Sequence, residues 1–247
     1  MGLVDTEALV LRSYNLAEAD KIVVCLARSS GVIRAVARGA RRLRNRFGAA
    51  LEPFTILRIT YYEKENRELV TLSHAEIVRS HFNLSQSADI VAALAYLSEL
   101  LIEFSPPHEP NEYLYRMAVA CADAMATVPL QTESITRYFE TWILKLGGFL
   151  PDLRKCSECG VPFSKQEGAF LNAEARPRCY KCSKGTGAAL SNEARERLLA
   201  TQRLGPIDFA KSSESLTAPA RAQLASFTEQ MLVGILNRRP RGMPAPQ

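Results

Sequence analysis

Apolar positions change their period along this chain, and the change divides it. From residue 6 to about residue 80 they alternate with polar ones or gather in short β-branched runs. These runs are Glu7–Ser13, Lys21–Ala27, Val32–Ala37, Thr55–Tyr62 and Leu69–Ile77. A period of two predicts strands. Ser29-Ser30-Gly31 supplies a tight connection, and Glu63 to Arg67 a charged hairpin tip. Five short strands suit a small closed barrel of the oligonucleotide-binding (OB) type. An SH3-like barrel fits the count nearly as well.

Beyond residue 81 the period becomes three to four. Ile90, Val91, Leu94, Leu97, Leu100, Leu101 and Phe104 line one face of a helix that must stop before Pro106-Pro107. Asn111 can cap a second helix reaching about Val128, ahead of Pro129. A third covers Glu133–Leu146 and ends on Gly147-Gly148. Ser191 opens a fourth to about Arg203, and Thr217 a fifth to about Asn237 with Pro219 in its first turn. The expected architecture is α+β and multidomain: a barrel over 1–80, a helical domain in two parts, 81–150 and 188–238, and a cysteine-rich insert over 151–187 between them. The Pro-rich tail, 239–247, is expected to be disordered.

The insert holds Cys156-Ser-Glu-Cys159 and Cys179-Tyr-Lys-Cys182, with 19 residues between the pairs. Each Cys-x-x-Cys turn can aim two thiolates at one ion, and two such turns complete a tetrahedral shell. The expected ligands of a structural Zn2+ are therefore Cys156, Cys159, Cys179 and Cys182. Gly160 helps the first turn, and the loop between the pairs is too polar to form its own core. A redox role is disfavoured, because neither pair sits in a βαβ context. Cys25 and Cys121 lie within apolar patterns and read as core thiols.

Charge sharpens the picture more by its distribution than by its net value of +5. Residues 1–80 hold 13 Lys/Arg against 9 Asp/Glu, residues 81–150 hold 3 against 8, and residues 151–247 hold 15 against 9. Between Lys21 and Leu51 there are eight positive residues and no carboxylate, six of them Arg34, Arg38, Arg41, Arg42, Arg44 and Arg46. Unopposed arginines repel one another, so folding gains little from them and an external anion relieves the strain. Val32, Ile33, Val36 and Leu43 thread apolar positions through the run, which mounts it on folded structure rather than on a loose tail. These six arginines are the expected nucleic-acid-binding residues, with Tyr14, Phe47, Tyr61 and Tyr62 as candidate stacking faces.

Other classes of function find little support. No apolar run approaches the ~18 residues of a membrane span, and no secretory signal is apparent. Six cysteines in that setting suggest a reducing compartment, hence the cytoplasm. His74, His81 and His108 have no metal or triad spacing, and no phosphate-binding glycine loop or nucleophile elbow occurs. A four-cysteine shell has no open coordination position for substrate, so no enzymatic activity is expected.

Glu7-Ala-Leu-Val-Leu, Ala19-Asp20-Lys21-Ile22, Gly31 through Arg42, Leu51-Glu-Pro53-Phe54, Gly147 through Leu153 leading into the first cysteine pair, and Gly168-Ala-Phe-Leu before the second form an ordered series. The series resembles the RecO family of bacterial recombination mediators. The resemblance covers nearly the whole chain. It implies an N-terminal OB barrel, a helical domain and a zinc-binding element. It also implies binding of single- and double-stranded DNA, annealing of complementary strands, and assistance in loading RecA onto DNA coated by SSB. RecR and the acidic C-terminal tail of SSB would be the protein partners, in the bacterial cytoplasm and at the nucleoid. The alternative is a zinc-ribbon RNA-binding or ribosome-associated factor.

Overall fold

The computed structural model describes residues 2–63, 68–81, 84, 87–106 and 108–243. Five strands open it: β1 Gly2–Leu16, β2 Asp20–Ala27, β3 Gly31–Ala37, β4 Ile56–Glu63 and β5 Leu69–Arg79. They close in the order β1-β2-β3-β5-β4, with β4 pairing back onto β1. All pairs are antiparallel except β3–β5, which runs Arg34↔Leu69 to Val36↔Thr71. That order, with its one parallel pair, is OB-like rather than SH3-like. Inward-facing Ala8, Val10, Val23, Cys25, Ile33, Ala35 and Leu57 fill the interior. The expected charged tip at Lys64–Arg67 lies outside the described residues.

On β1 the run Ala8-Leu9-Val10-Leu11 is buried without interruption. Alternation would leave Leu9 and Leu11 wet, so that side of the strand must be covered. Helix α1, Ala88–Phe104, lies against β1, with the Ser98 hydroxyl donating to Leu11 O at 3.0 Å. Ser87 caps α1, accepting from Ile90 N. Helix α2, Glu112–Thr127, starts where Asn111 Oδ1 accepts from Leu114 N. Arg28 at the end of β2 ties Glu7 to Glu112, at 3.1 and 2.6 Å. Buried His81 lies between Phe54 O and Asp123 Oδ1, each at 2.8 Å. Barrel, α1 and α2 accordingly form one compact unit, residues 1–126, and the dividing line falls inside the stretch read from sequence as one helical domain.

The second unit, residues 127–247, is helical with a small sheet. A 3-10 turn at Pro129–Gln131 leads into α3, Thr132–Leu146. After the cysteine-bearing segment come α5 Asn192–Ala200, α6 Pro206–Ser213 and α7 Ala218–Leu236. Tyr138 of α3 meets Phe209 of α6 with ring centroids 5.3 Å apart. Glu140 is fully buried between Arg137 and the Thr228 hydroxyl of α7. The segment carrying the cysteines adds three short strands, β6 Ala169–Leu171, β7 Pro177–Arg178 and β8 Ala188–Leu190, in the order β7-β6-β8. It also holds the one-turn helix α4, Tyr180–Ser183. Of the tail expected to be disordered, residues 239–243 are described and bury Pro240 and Met243, whose N–H donates to Pro240 O, while 244–247 lie outside the described residues.

Candidate nucleic-acid surface and metal centre

The β3–β4 connection carries most of the arginines, and its own sequence orders it. Gly39, at φ 72°, donates its N–H to Asp20 Oδ1 at 2.8 Å. Arg41 N–H reaches Ala19 O, and Asn45 Oδ1 accepts from the N–H groups of Phe47 and Gly48. Ala40, Phe47, Ala50 and Leu51 drop into the barrel core. The loop is therefore pinned from beneath while its cations face water.

All six arginines are exposed, but they are not equivalent. Arg41 Nη1 donates to Ala17 O at 2.5 Å, and Arg46 Nη2 to Leu72 O at 3.3 Å, with its guanidinium over the Phe47 ring. Arg34, Arg38, Arg42 and Arg44 have no hydrogen bond or ion pair from the guanidinium among the described residues. Other cations of the same unit do find partners: Lys21 with Glu52, Arg28 with Glu7 and Glu112, Arg79 with Asp123. Four unmatched guanidiniums on anchored backbone form a ready site for phosphate oxygens.

Strand register extends this surface. Cross-strand partners share a face, so Arg12, Val24 and Arg34 form one outer row across β1, β2 and β3. The neighbouring row reads Tyr14, Ile22, Val36, Thr71 and Tyr62. Tyr14 is 47% and Tyr62 39% exposed, so both offer ring surface. The other two candidate stacking residues do not. Phe47 is a core residue, and Tyr61 points inward with its hydroxyl on Ser30 Oγ at 2.8 Å. Alternation places Tyr61 on the opposite face from Tyr62. Arg12 was missed from sequence because it lies outside the dense run.

In the second unit the four predicted cysteines converge. The Sγ atoms of Cys156, Cys159, Cys179 and Cys182 all lie within 4.8 Å of one another, with Cys159 and Cys179 at 3.8 Å. Metal–sulfur bonds of ~2.3 Å in a tetrahedron put sulfurs about 3.8 Å apart, so the thiols fit a single ion. Gly160, at φ 71°, closes the first turn with its N–H on Cys156 O. Burial pushes the Cys156 thiol up, but backbone N–H groups of Cys159, Cys179 and Glu158 outweigh it and hold it down at about 6. Cys182 is pushed up, first by its hydrogen bonds with Cys159 and Cys179. Without a cation, four clustered sulfurs cannot all ionise; a divalent ion removes that conflict.

Sequence reasoning also missed Arg195. Its side chain, only 2% exposed on α5, donates to Leu153 O, Ser164 O and Glu167 O at 2.9–3.1 Å. These carbonyls bracket Cys156 and Cys159, so one guanidinium fixes both ends of the loop bearing the first cysteine pair. The local sequence Asn-Glu-Ala-Arg-Glu-Arg reads as an ordinary solvated helix face and gives no sign of this.

Together, these features define the class: an OB-like barrel bearing unpaired arginines, joined to a helical module with a four-cysteine cluster. Residues 1–81 match the family model described as Recombination protein O N terminal, and residues 86–242 match Recombination protein O C terminal. The chain belongs to the RecO family of DNA repair proteins. It is 32% identical to the DNA repair protein RecO of Anaeromyxobacter sp. (strain K) over 237 residues, which cover 94% of this chain and 92% of that protein. The RecO of Desulforamulus reducens is 31% identical over 242 residues, 94% and 91% of the two chains. That of Koribacter versatilis is 36% identical over 158 residues, 64% of each chain.

Proposed function

We propose that this chain is a recombination mediator with no catalytic chemistry of its own. It binds single- and double-stranded DNA, anneals complementary strands and helps RecA load onto DNA coated by SSB. The observation that carries the reading is the set of unpaired guanidiniums, Arg34, Arg38, Arg42 and Arg44, on an OB-like barrel. Phosphates supply the missing counter-charge, and release of condensed counterions drives the association. Two strands can approach only when their phosphates are neutralised, so annealing follows from the same chemistry and needs no fuel.

The cysteine cluster takes a structural part. Zn2+ held by Cys156, Cys159, Cys179 and Cys182 supplies folding energy to a segment poor in apolar residues, and four thiolates leave no open position for a substrate. RecR and the acidic SSB tail are the expected protein partners. A groove of about 410 Å³ in the second unit sets Phe149, Met231 and Ile235 beside Lys155 and Arg176, with Asp152 and Glu174 on the same lining, so its apolar floor rather than its charge favours a peptide segment. The site of action is the cytoplasm, at the nucleoid. Among the described residues no helix is long and apolar enough to cross a membrane.

The test is annealing of complementary oligonucleotides coated with SSB that has or lacks its acidic tail. The wild type should anneal only the strands carrying tailed SSB. An Arg38→Glu, Arg42→Glu, Arg44→Glu variant should bind single strands much more weakly than wild type, without losing binding altogether, while keeping its melting temperature. Normal DNA binding by that variant would sink the reading. A preference for structured RNA would favour the ribosome-associated alternative.

A further inference from the structure

The cysteine-bearing segment also presents an aromatic ring that the metal centre does not use. Tyr180 lies between two ligands, in Cys179-Tyr-Lys-Cys182, yet its side chain is turned outward and is 70% exposed. The ring is held in place. It meets Phe170 of β6 edge-on, with centroids 6.0 Å apart, and its Cε2 lies over Gly185. Gly185 is at φ 74°, and a Cβ there would come within 3.4 Å of the ring. A fixed ring with open surface loses little side-chain entropy when a planar ligand stacks on it.

Lys181 follows Tyr180 on α4, and Lys184 ends that turn with its N–H on Tyr180 O at 2.7 Å. Both are exposed, and neither has an ion pair among the described residues. Lys184, four residues after Tyr180, lies one helical turn away. One explanation is that these lysines merely offset the charge of the centre, since four thiolates around a divalent ion carry two negative charges. That would account for Lys181, which lies between ligands. It accounts neither for Lys184 beyond the last ligand nor for a rigid aromatic ring left open to water. Arg178, the cross-strand neighbour of Phe170, is already engaged by Glu158 and Thr186 O.

We infer that Tyr180, Lys181 and Lys184 form a second nucleic-acid site, one that takes an unpaired strand: a base stacks on the Tyr180 ring and the two ammonium groups hold the adjoining phosphates. Bases in a duplex are stacked on one another and cannot offer a face, so the ligand is single-stranded. The inference rests on the DNA-binding reading above and deepens it, because annealing requires a hold on two strands. The first hold is on the barrel and the second on the cysteine segment.

The experiment uses the full chain with its metal and an oligothymidylate carrying 5-iodouracil, which photo-crosslinks to stacked aromatic side chains. An adduct is expected on Tyr180, and it should persist in the Arg38→Glu, Arg42→Glu, Arg44→Glu variant. In that background, Tyr180→Ala should weaken single-strand binding about tenfold while Tyr180→Phe retains it. Metal content should stay the same in both. In the wild-type background, Tyr180→Ala with Lys181→Glu and Lys184→Glu should bind DNA through the barrel but anneal slowly. Wild-type annealing by that triple variant, or no adduct on Tyr180, overturns the second site and leaves the mediator reading intact. Loss of binding to an aspartate-rich peptide, with annealing unchanged, would also overturn it by assigning the surface to a protein partner. If the wild type itself neither binds nor anneals DNA, the mediator reading fails instead.

Discussion

Six cysteines in this chain are free, and their surroundings sort them into two groups. Cys25 sits in the barrel interior and Cys121 inside α2, and burial pushes the Cys25 thiol up to about 12 and Cys121 further. Thiols held so far above neutrality do not react as thiolates in the folded protein. The four clustered cysteines should be masked by zinc and released by a chelator. Iodoacetamide at pH 8 followed by mass spectrometry should therefore find no adducts on the metal-bound protein, four after chelation, and six only after denaturation. Labelling of Cys25 together with the four would mean that the barrel does not close around it. At Arg195 the stakes are structural. Removing its guanidinium strands three backbone carbonyls, so Arg195→Ala should lower stability by about 3 kcal/mol. It should also purify with less than one zinc per chain. Lysine cannot reach all three carbonyls, and Arg195→Lys should fall between.

Elements meet through a few polar contacts, and two of these make separate predictions. His81 joins the end of the arginine-bearing loop, at Phe54 O, to Asp123 on α2. His81→Ala leaves a buried carbonyl unpaired and should destabilise the first unit by about 1–3 kcal/mol, read from denaturant unfolding. Glu193 of α5 accepts from the hydroxyl and the N–H of Thr217, the residue that caps α7. These bonds hold its carboxyl below the usual value of 4.5. A depressed carboxylate stabilises the fold above its unfolded pKa and loses that contribution as pH falls through the folded one. Glu193→Gln should therefore melt below wild type at pH 7, and the gap should close as the pH falls below the ordinary carboxylate range. The strands and the main helices were legible because period and caps are local: Asn111, Ser191 and Thr217 all cap where the sequence places them. Helix α6 was not, since eight residues bury only Phe209, Ala210 and Ser213 and make no repeat. Nor was the docking of α1 and α2 on the barrel, because a pattern gives an apolar face without naming its partner. Leu9 and Leu11 on β1, with Val24 and Leu26 on β2, are apolar where alternation calls for polar and hinted at a covering layer. The cysteine site was legible because Cys-x-x-Cys spacing is itself geometry. Arg195, which holds that site from 36 residues beyond Cys159, has no such local mark.

At the scale of the molecule, charge is local rather than global. Residues 1–126 hold 14 Lys/Arg against 15 Asp/Glu, so the unit with the unpaired arginines is nearly neutral, while residues 127–247 hold 17 against 11. Long-range attraction by net charge would not support the strand binding proposed for the first unit. Contact with individual phosphates would, and the two mechanisms differ in their response to salt. Each phosphate neutralised on a single strand contributes ~0.7 to the slope of log K against log salt, so about four to six contacts give a slope of roughly −3 to −4. Replacing Arg38 and Arg42 by alanine removes two contacts and should make the slope shallower by about 1.4. The loss should be the same for every base sequence, because phosphates carry no sequence information. Removing two exposed cations from another surface, with Arg203→Ala and Lys211→Ala, makes the same change in net charge and should leave the slope unaltered. Equal shifts in the two double variants would point to a diffuse field. A shift confined to the arginine loop would make the barrel surface the grip.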